Sequence, residues 1–272
     1  MSTVAELRNT ASAIRRQVVA LSHQAGTPHL GSSLSCIDVL TAAYWSALRI
    51  DPENPQAADR DRFILSKGHA ALALYVTLCR RGFFSEETLQ TYNCDGGVLA
   101  EHPGPGCVPG VEAATGSLGH GLSLGLGMAL AGRIQKREYR VFVLMSDGEC
   151  NEGSVWEAAM FAPAQRLENV CVIIDYNKWQ ATARSNETLS LAPLREKWEA
   201  FGWDACEVDG HDMAALLEKM NHVPNGSGKP VALIAHTVKG RGVSFMEDDN
   251  NWHYRIPTAE EVQQAARELE TP

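Results

Sequence analysis

The second half of this chain alternates between two kinds of segment, and that alternation restricts its fold more than anything else in it. Runs of nearly unbroken apolar residues, RVFVLM, NVCVIID and PVALIAHT, are separated by amphipathic stretches such as SVWEAAMFAPAQRL, LAPLREKWEAFG and HDMAALLEKM. A strand that is apolar on both sides must be covered on both sides. Strands of that kind separated by helices form parallel sheets, because a helical crossover returns the chain to start its neighbour in the same direction. With DRFIL and WDACEVDG added, the pattern predicts five strands in an α/β fold, a parallel sheet with helices on both faces. No internal repeat, low-complexity tract or shift in composition marks a boundary, so residues 1–272 read as one domain.

The first half is mainly helical. Residues 3–25 carry Leu7, Ile14, Val18 and Leu21 on one stripe. LSCIDVLTAAYWSALRI reads as a second helix, ended by DPENP. ALALYVTLCRRG is a third, closed by Gly82, and FSEETLQTYN a short one capped by Ser85. Residues 94–117 form a Gly- and Pro-rich loop, long enough to suggest a function. LGHGLSLGLGMALAGR follows as a helix of small residues. Its glycines lack the GxGxxG order after a strand, so it is not a dinucleotide loop. A polar helix at about 258–270 closes the chain.

The formal net charge of −9 argues against a broad nucleic-acid or acidic-membrane surface. The seven cysteines include no CxxC pair and read as reduced thiols. The N-terminus lacks a signal peptide's apolar core, and no run approaches the ~20 apolar residues of a membrane span. A cytoplasmic location is expected.

Two strand ends carry the chemistry. Asp147, in MSDGECNEG, follows one apolar run, and Asn177 follows the next about thirty residues later. A right-handed crossover places both at the same sheet edge, where ligands bind in such folds. A carboxylate and an amide oxygen are hard donors suited to magnesium or calcium. Gly148 allows close approach, and the helix after NEG offers free N–H groups to an anion. The residues therefore suit a magnesium-bridged diphosphate. Taken singly, Asp147 reads as a helix cap and Asn177 as a turn residue. Their pairing across one crossover favours a ligand.

An Asp-Gly followed at this distance by an Asn after an apolar strand resembles the thiamine-diphosphate signature. HLGSSLS, RDRFILSKGHA, EHPGPGCVPGVEAATGSLGHG and DYNKWQATARSNE resemble transketolase segments in order and spacing, over nearly the whole chain. The resemblance implies a thiamine-diphosphate-binding fold of the diphosphate-binding type. It implies that Asp147, Asn177 and the Trp179 carbonyl hold Mg2+ (or Ca2+). Gly116, Ser117, Leu118, Gly148, Glu152 and Asn177 would contact the cofactor. His29, His69, His102 and His253 would handle substrate, with His69 and His253 also near the cofactor. Glu152 and Glu157 match glutamates at the family's subunit interface, although acidic residues beginning a helix also stabilise its dipole. Tyr254, His120 and Lys67 depart from residues common in the family. An imidazole, with an ordinary pKa near ~6.5, suits the proton transfers of sugar chemistry.

Complete transketolases are about twice this length. The resemblance therefore implies the N-terminal subunit of a split enzyme. Its partner chain would carry the pyrimidine-binding domain and an activating glutamate, in an α2β2 assembly acting on sugar phosphates. Two alternatives stay open. One is a subunit of another thiamine enzyme, such as a 2-oxo acid dehydrogenase alpha chain or a deoxyxylulose-phosphate-synthase-like protein. The other is a non-catalytic cofactor-binding subunit.

Overall fold

The computed structural model describes residues 2–270. In chain order the elements are α1 (Val4–Ala25), α2 (Leu30–Ser35), α3 (Ile37–Ala42), β1 (Arg62–Leu65), α4 (Ala71–Arg81), α5 (Glu86–Leu89), α6 (Gly121–Ile134), β2 (Val141–Ser146), α7 (Gly153–Ala164), β3 (Val170–Tyr176), α8 (Ser185–Thr188), α9 (Leu194–Ala200), β4 (Asp204–Asp209), α10 (Met213–Asn221), β5 (Val231–His236) and α11 (Ala259–Glu268). The five expected strands form one wholly parallel sheet in the order β1-β2-β3-β5-β4.

Alternate residues of the central strands enter two separate cores. Phe63, Leu65, Phe142, Leu144, Cys171 and Ile173 pack with residues of α1 to α4, α10 and α11. Ile64, Val141, Val143, Val172 and Ile174 pack on the other face with α6, α7 and α9. Every residue of β2 and β3 is buried, which explains their unbroken apolar runs. At the edge, β4 is only partly covered: Ala205 and Val208 are buried, one against each core, while Glu207 and Asp209 are exposed.

The segment expected as one helix from Leu34 differs. It begins earlier, at Leu30, breaks at Cys36 (φ −99°, ψ 3°), and ends in a π-turn over Ala43–Ala47. Gly31 and two serines weaken the helical signal in this stretch. Packing decides the matter: a Cβ on Gly31 would lie 3.0 Å from Lys239 Cγ and 3.3 Å from Trp252 Cβ. The glycine lets α2 sit close against the C-terminal segment. The irregular 94–117 loop is fastened to the carboxyl end of β1. Thr115 Oγ1 donates to the Leu65 carbonyl (2.6 Å), and Gly68 N donates to the Thr115 carbonyl (3.2 Å).

Helix α6 approaches the sheet equally closely. A Cβ on Gly125 would lie 2.6 Å from Val143 Cγ2 and 3.3 Å from Val141 Cγ1, both on fully buried residues. Alanine would add about 1 kcal/mol of helix propensity. Overpacking a fixed core costs about 1–3 kcal/mol. Gly125→Ala is therefore expected to lower the urea midpoint of the chain. A variant as stable as the parent would show that α6 slides freely over the sheet.

Candidate active site

The carboxyl ends of β1, β2, β3 and β5 open on one edge of the sheet, and the next few residues of each strand build the site. These are Ser66 to His69 after β1, Asp147 and Gly148 after β2, Asn177 to Trp179 after β3, and Thr237 to Lys239 after β5. A cavity of about 380 Å³ lies there. Its walls include His29, His69, His102 and His253, with Gly116, Leu118, Gly148, Glu152, Asn177 and Trp179. Ser117 is exposed outside the lining, and Asp147 is fully buried. His120 is exposed at the start of α6 and lies outside the lining.

The two strand ends meet. β2 and β3 pair with Ser146 opposite Asp175. Asp147 Oδ2 accepts from the Lys178 backbone N–H (2.9 Å) and the Ser185 hydroxyl (2.7 Å), and Oδ1 accepts from Gly148 N (3.0 Å). Asn177 Oδ1 accepts from Trp179 N (3.0 Å). Lys178 takes a left-handed φ of 72° to make this turn. Among the described residues no cationic side chain pairs with Asp147. Burial pushes its carboxyl up to about 7, and a divalent cation would offset that cost. Asn151 Oδ1 and His29 Nδ1, on residues lining the cavity, are buried without partners. Orphaned polar atoms of this kind fit a polar ligand that supplies their hydrogen bonds.

Beneath the cavity lies a buried ion pair. Lys67 Nζ donates to Asp175 Oδ2 and to the Ser32 carbonyl (2.8 Å). Asp175 also accepts from Ser35 Oγ (2.6 Å) and Thr237 Oγ1. Burial raises the Asp175 carboxyl, but Lys67 beside it and these hydrogen bonds outweigh that and hold it below its ordinary value. Glu149, equally buried, accepts from Ser66 Oγ (2.5 Å), Ser146 N (2.9 Å) and Gly119 N (3.0 Å). It ties the ends of β1 and β2 to the turn before α6. Burial pushes its carboxyl up.

The imidazoles cluster around His29. Ring centroids of His69, His102 and His253 lie 5.4, 5.9 and 5.0 Å from it. Burial lowers the pKa of His29, that of His69 well below 6.5, and that of His253 to about 3. Lys239 adds to the depression of His253. Its Nζ lies 3.1 Å from His253 Nδ1 and donates to Asn250 Oδ1 (2.7 Å). Burial, with Lys67 nearby, brings the Lys239 ammonium itself down to about 8. At neutral pH these three rings are neutral and able to accept protons.

A turn of hard oxygen donors at a parallel sheet's edge, beside a cluster of imidazoles, points to one group of enzymes. The family described as transketolase, thiamine diphosphate binding domain, matches residues 7–271. The chain belongs to the transketolase family. It is 44% identical over 255 residues to one of the subunits of the apulose-4-phosphate transketolase of Phocaeicola vulgatus, covering 94% of this chain and 90% of the relative. It is 38% identical to a 6-deoxy-6-sulfo-D-fructose transketolase subunit of a Clostridium species, covering 97% and 96%. The crystal structure of transketolase from Campylobacter jejuni superposes with a TM-score of 0.93 at 26% identity. That match covers 99% of this chain and 43% of the other, so the transketolase domain here spans less than half of that protein.

The residues expected from sequence thus converge on one cavity, with Ser117 at its margin and Asp147 below it. The ion pair, Glu149, Asn151, Ser185 and Lys239 were not anticipated. Two signals could have found the pair: an Asp inside the apolar strand VCVIID, and a Lys directly after another strand.

Two of the histidines lend themselves to measurement. His29 holds a left-handed φ of 66°, a conformation that costs a side chain about 1–2 kcal/mol. His29→Gly is expected to unfold at higher urea than His29→Ala, and equal midpoints would rule out strain. Acid stability is the second case. His253 stays neutral in the native state, while the unfolded chain protonates it below about 6.5. Its contribution is complete above that value and is lost as pH falls from about 6.5 towards about 3. His253→Gln should therefore lose stability less steeply over that window in pH-dependent urea titrations.

Proposed function

We propose that this chain is the diphosphate-binding subunit of a split transketolase. With a partner chain it moves a two-carbon glycolaldehyde unit from a phosphorylated ketose to an aldose. The observation that carries this is the meeting of Asp147 with the Asn177 turn under a cavity lined by four histidines. The similar length of the two named subunits supports the split arrangement.

Asp147 and Asn177, with the Trp179 carbonyl, would hold Mg2+, which in turn holds the diphosphate. Gly116, Ser117, Leu118, Gly148 and Glu152 would border the cofactor. Bound thiamine diphosphate supplies the stabilisation of a carbanion, which side chains alone lack. This chain's own residues do the rest. His29, His69, His102 and His253 bind the sugar hydroxyls, and the neutral rings accept their protons and return them. Lys239 positions His253 through its Nδ1 contact.

The partner would provide the pyrimidine-binding domain and its glutamate, in an α2β2 enzyme of the cytoplasm. Glu152 makes no capping hydrogen bond to α7, and Glu157 is exposed on that helix. Both facts favour the interface role over helix capping. The named relatives act on apulose 4-phosphate and a sulfonated fructose, so branched and sulfonated ketoses belong in a donor screen beside ordinary sugar phosphates.

The test mixes this chain with its cognate partner, thiamine diphosphate and Mg2+. Two-carbon transfer is expected from the mixture and from neither chain alone. Asp147→Ala should reduce it by at least about 100-fold and abolish cofactor binding measured by calorimetry. Decarboxylation of a 2-oxo acid by the same pair would replace this reading with the dehydrogenase one.

A further inference from the structure

Glu101 belongs to neither the cation turn nor the hydrogen-bond network beneath the cavity. It projects from the 94–117 loop beside His102, and its Oε1 lies 3.3 Å from His29 Nε2. Ligand atoms of His29, Glu101 and His102 all lie within 4.8 Å of one another. Among the described residues no Lys or Arg side chain pairs with Glu101.

We propose that His29, Glu101 and His102 form a second metal site, of the zinc class, at the mouth of the cavity, and that its occupation shuts the enzyme off. The inhibitory part rests on the transketolase reading; the binding part does not.

Three features support the site. Two imidazoles and one carboxylate are the donor set of open zinc sites, with a position left for water or substrate. Zinc bonds of about 2.0–2.1 Å place tetrahedral ligands about 3.3–3.4 Å apart, the spacing already present between His29 and Glu101. His29 is held in place from behind, because its backbone N–H donates to the His253 carbonyl (2.9 Å) and its carbonyl accepts the first hydrogen bond of α2 from Ser33 (3.0 Å). Its ring Nδ1 has no partner and can carry the ring proton, which leaves the Nε2 lone pair to a metal.

The ligands separate this site from the cation turn. Asp147, Asn177 and a backbone carbonyl offer oxygen alone and suit magnesium, whereas imidazole nitrogen favours zinc and its neighbours in the transition series. One cavity can therefore hold both metals without exchange. A metal at the mouth would occupy two of the four histidines that face the sugar. No bond is made or broken in this inhibition; the metal competes with substrate for lone pairs.

Calorimetric titration of the full chain with zinc chloride tests the site, after accessible thiols are blocked with iodoacetamide. Cobalt(II) serves as a spectroscopic probe of tetrahedral coordination. One zinc per chain is expected, with visible ligand-field bands for cobalt. Glu101→Gln should weaken binding at least tenfold, while Asp147→Asn should leave it in place. Absence of binding, or binding indifferent to Glu101→Gln, overturns the site. In the assembled enzyme, saturated with Mg2+ and thiamine diphosphate, zinc should compete with the donor sugar and be reversed by a zinc-selective chelator. Zinc bound at this site without inhibition overturns the regulatory part. A pair with no turnover at all removes that part together with the transketolase reading, and the titration still decides the metal site.

Discussion

The buried contact between Lys67 and Asp175 holds the site together. It joins the end of β1 to the end of β3, and through Ser32, Ser35 and Thr237 it also reaches α2 and β5. Neither side chain is exposed. Taking both charges out of water costs several kcal/mol per ion, which mutual attraction only partly offsets. The pair is therefore better understood as a device for position than for stability. Its clearest effect is on Asn177, whose Nδ2 lies 3.4 Å from Asp175 Oδ2. An ionised carboxylate only accepts hydrogen bonds, so it turns the amide nitrogen inward and leaves the oxygen towards the turn.

The surroundings of the pair also bear on how an acidic protein can offer positive potential at this edge. The formal net charge is −9, yet Lys239, which pairs with no carboxylate among the described residues, stands after β5, and α7 starts beside the same cavity. Local potential is set by the nearest charges and dipoles, since more distant exposed charges are screened over about 8 Å at physiological salt. The net charge of a chain limits its broad surfaces and says little about the potential at one pocket.

Much of the fold was legible in sequence because burial on both faces leaves a plain signature. RVFVLM, NVCVIID and PVALIAHT could be nothing but central strands once helices separated them. The helix around Cys36 was less legible, because its start depends on Gly31 meeting Lys239 and Trp252, which are more than 200 residues away in the chain. The site followed the same division. Asp147 and Asn177 follow their strands directly, so topology alone brings them together. Lys239 and Glu149 act through contacts that no spacing predicts: one against His253, the other across Ser66 and Gly119. Tyr254, one of the departures from the family pattern, sets its ring 4.7 Å from His253 on the rim of the cavity.

Exposure on this rim bears on the partner chain proposed above. Tyr254 is 63% exposed and Ile256 41%, next to a histidine; on the helices bordering the site, Met160 is 52% exposed and Leu124 42%. Large apolar side chains in such a setting are commonly covered in an assembly. Covering them would matter chemically as well as energetically. The imidazoles of His29, His69 and His253 owe their neutrality to burial, and charge interactions within the site strengthen as water leaves. An open sheet edge can position the groups but cannot exclude solvent. A partner closing over Tyr254 would do both at once: remove apolar surface from water and lower the effective dielectric around groups already placed. In the proposed split enzyme the two chains would divide positioning, which the sheet completes alone, from desolvation, which the second surface would supply.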